Sequence, residues 1–370
     1  MAQVLASPRF HDLSVSRVTP EAAGAVAISF AVPAALREAF NYAPGQFLTL
    51  RAQIGGDEVR RSYSICSPMA RYRDSGELEV GIRPMAGGLF SNWAATEVKV
   101  GDVLPVMPPE GRFVSKRLRA IHRVGFAAGS GITPILSIIA TTLQEQENSK
   151  FTLIYGNRSM ASVMFNEALQ DLKDRYPDRL TLIHILSRQA QEVDLLQGRI
   201  DAAKVRALVA TLLPAQSMDE VFICGPEGMI EATEAALLEC GVPARNIHSE
   251  RFMTAQQTLS SPDISQVVTI NLAAPNVSSI ALNLTLDGKQ HALHMRANEH
   301  VLDVALAAGL DLPYSCKAGV CCTCRAKLTS GSVTMDKNFT LEQWEVDKGF
   351  VLTCQSRPTS AEVAINFDER

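Results

Sequence analysis

The stretch Cys316-Lys317-Ala318-Gly319-Val320-Cys321-Cys322-Thr323-Cys324 decides how the C-terminal part of this chain folds. Its first, sixth and ninth residues have the spacing C-x4-C-x2-C, and Cys354 provides a fourth thiol downstream. This is the plant-type spacing of a 2Fe–2S cluster, in which two thiolates bind each iron. Gly319 allows the loop to curl and brings N–H groups close to the sulfurs. We therefore predict a cluster bound by Cys316, Cys321, Cys324 and Cys354.

Two other interpretations of these cysteines are a structural zinc site and unrelated cysteines of a core. Zinc sites usually combine two C-x2-C pairs, whereas here the second pair is missing. The spacing therefore favours the cluster. Cys322 lies between two ligands in the same loop, and we expect it to pack as a small residue rather than to bind iron.

The composition of the chain is that of an ordinary globular protein. Its 370 residues allow two or three domains, with 46% hydrophobic and 20% charged residues. The net charge of -4 and the lack of a long basic run argue against nucleic acid as a partner. Residues 1–10 lack a signal-type apolar segment, and a thiolate cluster favours a reducing compartment, so we predict a cytoplasmic protein. The uncharged stretch 124–143 contains several glycines and Pro134, which favours a buried strand, loop and helix over a membrane span.

Residues 1–115 are predicted to form an all-β barrel. Short strand-like segments at 26–30, 46–50 and 77–82 are separated by turn residues. In the segment Arg60-Arg61-Ser62-Tyr63-Ser64-Ile65, strand alternation places Arg61 and Tyr63 on one face. A guanidinium beside an aromatic ring suits a ligand with a flat ring and a pyrophosphate.

A second candidate phosphate site follows in the same predicted domain. Gly87 and Gly88 precede a helical segment that contains Ser91, and the start of a helix favours anions. Taken alone, a motif such as Arg61-Ser62-Tyr63-Ser64 is more often a plain edge strand, and a pair such as Gly87-Gly88 is more often a plain turn. Together, the two motifs predict a nucleotide-containing ligand.

Residues 116–253 are predicted to form an α/β domain with a parallel sheet, because strands alternate with helices. The predicted strands are 120–127, 151–155, 180–186 and 221–224, and the predicted helices are 163–175 and 229–240. Glycine-rich or polar loops follow all four strands, at 129–134, 155–158, 187–188 and 224–229. Ligands bind at the carboxyl ends of such strands, so these loops predict a binding edge. The first loop departs from G-x-G-x-x-G, because Pro134 replaces the third glycine.

Residues 254–280 are polar and irregular, and we predict that they form a linker. Residues 281–370 are predicted to form an α+β domain, and its plant-type cysteine spacing resembles that of the β-grasp ferredoxins. Its segments 281–286 and 289–293 flank Asp287-Gly288, which is a strong hairpin signal. A short helix is predicted over 301–308, where Gly309 ends it.

Four of these motifs resemble those of the ferredoxin–NADP reductase superfamily. They are Arg61-Ser62-Tyr63-Ser64, Gly129-Ser130-Gly131-Ile132-Thr133-Pro134, Tyr155-Gly156-Asn157-Arg158 and Cys224-Gly225-Pro226. With the plant-type cysteine loop after them, the order of segments resembles the reductase components of oxygenases. The resemblance covers nearly all of the chain.

The resemblance implies that FAD binds in the barrel. Arg61 would bind the pyrophosphate, Tyr63 would pack on the isoalloxazine, and Ser64 would lie near flavin N5. The other residues assigned to FAD by the resemblance are Ser62, Gly87, Gly88 and Ser91, with Glu250 and Phe252 closing over the flavin. The alternative is that Glu250 is simply an exposed glutamate and Phe252 a core phenylalanine, since the sequence would look the same in that case.

The resemblance also implies a nicotinamide nucleotide site. Its residues would be Thr133, Gly156, Arg158, Ser187, Arg188, Cys224, Gly225, Pro226 and Met229. Tyr63, Ser64 and Cys224 would be the catalytic residues. Since Ser187-Arg188 is followed by no carboxylate until Glu192, we predict NADPH rather than NADH, with NADH as the alternative. If Arg188 is instead a solvated surface residue, it has no role in the choice between NADPH and NADH.

Electron counting leads to the expected function. A nicotinamide gives two electrons together, a 2Fe–2S cluster takes one at a time, and FAD can convert between the two. The chain has no Glu-x-x-His or Cys-x-His motif, so we expect a separate oxygenase, predicted to be di-iron, as electron acceptor. The alternatives are another acceptor, such as a Rieske oxygenase, a hydroxylase or a hybrid-cluster protein, and a zinc-stabilised docking module or redox sensor.

Overall fold

The computed structural model describes residues 9–115, 121–252, 266–269 and 279–369, with only the backbone given for 266–269. These residues form two compact units. One contains His11–Val59 and Tyr63–Phe252, and the other contains the remaining described residues. Each unit buries its own hydrophobic residues.

The first part of the larger unit is an antiparallel sheet. Its strands are β1 (His11–Pro20), β2 (Val26–Ala31), β3 (Phe47–Ile54), β4 (Asp57–Ser64), β5 (Glu77–Ile82) and β6 (Val103–Val106), with helices α1 (Met69–Ser75) and α2 (Leu89–Thr96). The strands have the order β4-β3-β6-β1-β2-β5. The sheet curls until Ile65, directly after β4, pairs with Val80 of β5. The prediction of an all-β barrel is confirmed, and α2 begins directly after Gly88 as predicted.

The second part of the larger unit is an α/β layer. Its elements are β7 (His122–Ala128), α3 (Ile132–Glu145), β8 (Lys150–Asn157), α4 (Asn166–Arg175), β9 (Leu180–Leu186), α5 (Ala202–Thr211), β10 (Glu220–Gly225), α6 (Glu227–Glu239) and β11 (Ile247–Arg251). All strands are parallel, in the order β11-β10-β7-β8-β9. The predicted parallel sheet is confirmed. The uncharged stretch 124–143 is divided between β7 and α3, and no helix within the described ranges has the length and apolarity to cross a bilayer.

Both predicted helices of this layer begin at other residues than predicted. The helix predicted over 163–175 begins at Asn166, because Phe165 before it has φ of +57°, outside the right-handed helical region. The helix predicted over 229–240 begins at Glu227. Pro226 stands directly before that residue, where a missing N–H breaks no helical hydrogen bond.

A buried ion pair holds the amino-terminal edge of this sheet. Arg123 of β7 is fully buried and donates from Nε to Glu220 of β10 at 3.0 Å. The same guanidinium also donates to Ser115 and Gln146. Removing one partner of such a pair would leave a buried charge unpaired. The pair therefore keeps β7 and β10 in register, and these strands carry two of the loops at the opposite edge.

Within the described residues, the smaller unit contains two sheets and two short helices. Its elements are β12 (Gln266–Thr269), β13 (Ile280–Leu286), β14 (Lys289–Met295), α7 (Val301–Ala307), β15 (Arg325–Ser330), β16 (Ser332–Met335), α8 (Gln343–Asp347), β17 (Phe350–Leu352), β18 (Ser356–Pro358) and β19 (Glu362–Asn366). A mixed sheet has the order β14-β13-β19-β15-β17, and a second sheet has the order β12-β16-β18. Asp287 and Gly288 have φ of +50° and +73°, as a tight hairpin turn requires. The α+β prediction and the predicted hairpin are confirmed.

Much of the predicted linker, residues 254–280, lies outside the described residues. Its described part includes Gln266–Thr269, which pairs with β16 in antiparallel register. The prediction of irregular structure is therefore wrong for these residues. Backbone pairing with a neighbouring strand determines their conformation, and their polar flanks do not reveal it. The predicted domain boundaries themselves remain a prediction.

Candidate functional site

The four cysteines predicted to bind the cluster form two pairs in the smaller unit. The thiols of Cys316 and Cys321 contact each other, and those of Cys324 and Cys354 do the same. All four are free thiols, and the last three of them in the sequence are buried. Two pairs of sulfurs provide two ligands to each of two irons.

The backbone of the cysteine loop stabilises the thiolate of Cys316. Lys317 and Gly319 have φ of +52° and +77°, so the loop curls as predicted. The N–H of Ala318 donates to Cys316 Sγ at 3.3 Å. The neighbouring Cys321 thiol and the N–H groups of residues 318, 320 and 321 lower the pKa of Cys316 to about 6. Because thiolates are the metal-binding form of cysteine, this donor set fits the cluster.

The arrangement does not resemble a zinc site. In the described part of the chain, no three or more His, Cys, Asp or Glu side chains converge to hold one metal ion. Structural zinc needs four ligands around a single point, whereas a binuclear cluster distributes them over two irons. The paired cysteines therefore fit the second arrangement.

Cys322 has a different environment from its two neighbouring ligands. It has φ of +58°, and its thiol donates to Thr340 Oγ1 at 2.9 Å. Its side chain packs against the core of the smaller unit. The structure thus agrees with a packing role for this residue.

Sequence reasoning missed the residues that close over the loop from elsewhere in the chain. The Phe339 N–H donates to the Gly319 carbonyl at 3.1 Å. Gln355 Nε2 donates to the Lys317 carbonyl at 3.0 Å. A glutamine directly after the predicted ligand Cys354 was a signal, because a polar side chain there must find buried partners.

We expect Gly319→Ala to lose bound iron faster than the wild type. A Cβ at this position would lie 2.9 Å from the Lys337 carbonyl oxygen, and φ is +77°. The left-handed conformation alone costs alanine about 1–2 kcal/mol, so chelator-driven bleaching of the cluster should be about tenfold faster. Gly288→Ala is the control, because Gly288 also has positive φ but has open space around it. Equal bleaching rates in the two variants would contradict this expectation.

Three predicted residues of the larger unit meet where the barrel and the parallel sheet contact each other. Ser64, the last residue of β4, donates from Oγ to Glu250 Oε2 at 3.2 Å. Glu250 of β11 pairs with Cys224 of β10 in parallel register. The predicted catalytic residue Ser64 thus donates to the carboxyl of Glu250, which was assigned only by resemblance and whose backbone lies opposite that of Cys224.

The environment of this group changes its acid–base properties. Burial raises the pKa of Glu250 to about 8, although the Ser64 hydrogen bond opposes the change. Burial also raises the pKa of the Cys224 thiol, and the nearby Glu250 charge adds to the effect. Near neutral pH the site therefore contains a protonated carboxyl and an uncharged thiol, which suits proton and hydride chemistry.

The loops at the carboxyl edge of the parallel sheet approach one another closely. A Cβ at Gly131 would lie 2.1 Å from the Cys224 carbonyl oxygen, so only glycine allows this contact. Thr133 is buried, and its hydroxyl donates to the Ser130 carbonyl at 3.1 Å. A Cβ at Gly225 would meet Met229, which is also buried. These residues pack the edge, and Pro226 lies beside it as the residue directly before α6.

Cationic residues occupy the outer part of the same edge. The Arg188 N–H donates to the Arg158 carbonyl at 2.8 Å, which places the two residues side by side. Both are exposed, as is Ser187, while Gly156 is partly buried. Two adjacent arginines and a hydroxyl are a donor set that fits a nucleotide phosphate.

The predicted FAD residues of the barrel divide into two groups. Arg61 is exposed, and Ser62 and Tyr63 are partly buried, with the Tyr63 ring 5.6 Å from that of Phe90. The partly exposed Tyr63 ring, packed against Phe90 in the larger unit, fits stacking on a flavin ring.

The second group is the turn before α2. Gly87 has φ of +73°, and a Cβ at Gly88 would lie 2.5 Å from Ser91 Oγ. Ser91 itself is buried and accepts the Met85 N–H at 3.3 Å, so its hydroxyl holds this turn. Phe252, which follows β11, is 36% exposed and leaves an aromatic face accessible.

Family models match three consecutive parts of the chain. Residues 14–114 match an oxidoreductase FAD-binding domain, 126–235 an oxidoreductase NAD-binding domain, and 284–359 a 2Fe–2S iron–sulfur cluster binding domain. FAD, a pyridine nucleotide and a 2Fe–2S cluster are therefore the cofactors of this chain.

Full-length relatives have the same three parts. One subunit of the 1,2-phenylacetyl-CoA epoxidase of Escherichia coli (strain K12) is 44% identical over 98% of both chains. The ferredoxin reductase component of 3-ketosteroid-9-alpha-monooxygenase from Mycobacterium tuberculosis (strain CDC 1551 / Oshkosh) is 38% identical over 97% of this chain and 96% of the relative. The solved structure of phthalate dioxygenase reductase has the same fold, with a TM-score of 0.57 at 20% identity over 97% of this chain and 98% of that one.

Proposed function

Because this chain belongs to the oxygenase reductase components of the ferredoxin–NADP reductase superfamily, we propose that it transfers electrons from NADPH to the oxygenase of a phenylacetyl-CoA epoxidase. As a member, it is an NAD(P)H-dependent flavin and iron–sulfur oxidoreductase. The observation that supports this acceptor is 44% identity to a phenylacetyl-CoA epoxidase subunit over 98% of both chains. In this proposal the epoxidation belongs to aromatic degradation.

The proposal assigns each cofactor to named residues. FAD is held by Arg61, Ser62, Tyr63, Ser64, Gly87, Gly88, Ser91, Glu250 and Phe252. NADPH is held by Thr133, Gly156, Arg158, Ser187, Arg188, Cys224, Gly225, Pro226 and Met229, and the cluster by Cys316, Cys321, Cys324 and Cys354. When bound, FAD takes the electron pair of a nicotinamide and releases the electrons singly.

The chain's own residues prepare the site for this transfer. Ser64 and Glu250 share a hydrogen bond beside Cys224, and the raised pKa of Glu250 keeps a proton there near neutral pH. The partner in this proposal is a separate di-iron oxygenase. The cytoplasm is the proposed location, because the cluster site needs four reduced thiols.

Reconstitution tests the proposed acceptor. The purified protein is combined with the purified oxygenase part of a phenylacetyl-CoA epoxidase, NADPH, oxygen and phenylacetyl-CoA, and the epoxide is measured. NADPH-dependent product formation supports the proposal. A protein that reduces cytochrome c with NADPH but gives no epoxide would contradict the acceptor and leave the reductase activity intact.

A second acceptor is supported by a separate relative. The reductase component of a 3-ketosteroid-9-alpha-monooxygenase is 38% identical over nearly the full length of both chains. The same assay with that monooxygenase and a ketosteroid distinguishes the two, since electrons should reach only the true partner at a high rate.

We expect Arg188→Glu to change the choice of nucleotide. Arg188 lies beside Arg158 at the sheet edge, where a 2′-phosphate needs cations. Loss of one charged hydrogen bond should lower kcat/KM for NADPH about tenfold and leave the NADH value nearly unchanged. Arg175→Glu is the matched control, because Arg175 is exposed near the end of α4 and away from this edge. A similar NADPH loss in both variants would indicate a general charge effect and contradict the prediction.

A further inference from the structure

The side chain of Gln355 connects the two cysteine segments of the smaller unit. Its Nε2 donates to the Lys317 carbonyl at 3.0 Å and to the Cys354 carbonyl at 2.9 Å. The same nitrogen lies 3.7 Å from Cys354 Sγ, within hydrogen-bond range for sulfur. The two carbonyl acceptors fix the orientation of the amide, since only its NH2 group can donate to them.

The rest of Gln355 is held in place from several directions. The residue is only 6% exposed. Its N–H donates to the Leu352 carbonyl, and its own carbonyl accepts the Asp336 N–H, both at 2.9 Å. A Cβ at Gly319 would lie 3.4 Å from Gln355 Cγ, so the side chain packs against the cysteine loop. Both N–H groups of the amide are engaged by carbonyls, so the sulfur shares the N–H that donates to the Cys354 carbonyl, in a bifurcated hydrogen bond that needs no reorganisation.

We propose that Gln355 is a positioning residue that raises the reduction potential of the cluster through its hydrogen bond to Cys354 Sγ. This inference rests on the proposed ligand set. Reduction adds one electron and breaks no bond, so the ligand sulfurs become more negative. An N–H dipole directed at such a sulfur stabilises the reduced state more than the oxidised state.

The contact with Lys317 has a second consequence. Lys317 follows the ligand Cys316, and Gln355 follows the ligand Cys354, so one amide connects the two parts of the ligand set. The residue thereby fixes the spacing between them before iron enters. In the metal-free protein, loss of this amide should make the cysteine thiols react faster with an alkylating reagent.

The test is a redox titration of the purified holoprotein, with the reduced cluster measured by electron paramagnetic resonance. Gln355→Leu removes the donor and retains an apolar side chain of similar reach. The reduced-to-oxidised ratio at a fixed potential should fall about tenfold, which lowers the midpoint by about 59 mV for one electron. Gln355→Glu should lower it further, because it replaces the donor with a negative charge near the sulfur.

Thr340→Val is the matched control. Thr340 also holds the cysteine loop, with Oγ1 3.4 Å from the Gly319 carbonyl and 2.9 Å from Cys322 Sγ, but these are not contacts with a ligand sulfur. Its midpoint should equal that of the wild type, even if its cluster bleaches faster.

The outcomes separate this inference from the proposed function. A wild-type protein without iron would contradict the proposed ligand set. A wild-type protein with a cluster, and an unchanged midpoint in Gln355→Leu, would overturn only the role of Gln355. If Gln355→Leu holds no cluster, the unbranched Gln355→Met is titrated instead. Loss of the cluster from both variants would also overturn the tuning role and leave Gln355 with a part in assembly alone.

Discussion

Cytochrome c reduction by Cys354→Ser should fall at least about a hundredfold. Even the loss of a residue that only hydrogen-bonds to a metal ligand commonly lowers metal affinity or activity 10–100-fold. Cys354 is buried and its thiol contacts the Cys324 thiol, so in the proposed ligand set these two cysteines bind the same iron. A serine hydroxyl at this position is a far weaker ligand than a thiolate, since it keeps its proton near neutral pH. The variant should therefore lack the cluster absorbance.

The same variant should retain the reactions of the larger unit. Its nucleotide residues and most of its flavin residues lie in a separately packed part of the chain, whereas Arg61 and Ser62 are grouped with the smaller unit. NADPH-dependent ferricyanide reduction, which needs no cluster, should therefore remain within about twofold of the wild type. Measuring both acceptors on the same preparation separates loss of the cluster from loss of folding.

Cys322→Ser is the matched control for this prediction. Cys322 lies in the same loop, but its thiol donates to Thr340, and a serine hydroxyl can make the same hydrogen bond. Both reductase activities should stay close to those of the wild type. Normal cytochrome c reduction by Cys354→Ser, or its loss in Cys322→Ser, would contradict the ligand assignment.

The sequence could indicate which cysteines lie together, and hence the proposed ligand set, because the chemistry of the cysteine loop is local. Three of the cysteines lie within nine residues, and their spacing alone restricts the geometry. The residues that close over this loop could not be found in this way. Phe339 follows β16 and Gln355 lies between β17 and β18, so their contacts with the loop depend on the tertiary fold.

The barrel shows a similar division. Strand β2 and strand β5 follow the predicted segments closely, because apolar residues dominate both. Strand β1 was missed, although Leu13 and Val15 are buried while Asp12 and Ser14 are exposed. Its alternation is interrupted by polar residues after Val15, where the pairing with β2 is irregular.

Glu250 was assigned only by resemblance, and the structure explains why the sequence pattern could not identify it. Strand β11 is short and contains a single apolar residue, Ile247, so it has no apolar pattern. The contact with Cys224 depends on β11 being the edge strand beside β10. Strand order in a parallel sheet follows from packing, and motif spacing does not contain it.

The second large effect is expected at Glu250. Its carboxyl accepts the Ser64 hydroxyl at 3.2 Å, and its pKa is raised to about 8 by burial. Positioned acid–base groups contribute about 10²–10⁴-fold to rates, so Glu250→Leu should lower kcat for NADPH oxidation about a hundredfold at pH 7. In the wild type the rate should decline as pH rises through about 8, where the carboxyl loses its proton.

Glu250→Gln tests the role of the carboxyl proton separately from that of the hydrogen bond. The amide can still accept the Ser64 hydrogen bond but does not titrate in this range. In the wild type, the folded-state pKa of Glu250 lies above the ordinary carboxyl value of 4.5. The contribution of its protonated carboxyl to the free energy of unfolding is therefore complete below about pH 4.5 and is lost as pH rises through about 8. Compared with the wild type, Glu250→Gln should therefore gain in Tm between pH 5 and pH 9, and its rate should show no decline near pH 8. Glu231→Gln, a change at an exposed glutamate of α6, should keep the wild-type profile of rate and Tm. A Glu250→Gln variant that retains the wild-type decline near pH 8 would show that another group titrates there and would remove Glu250 from the proposed chemistry.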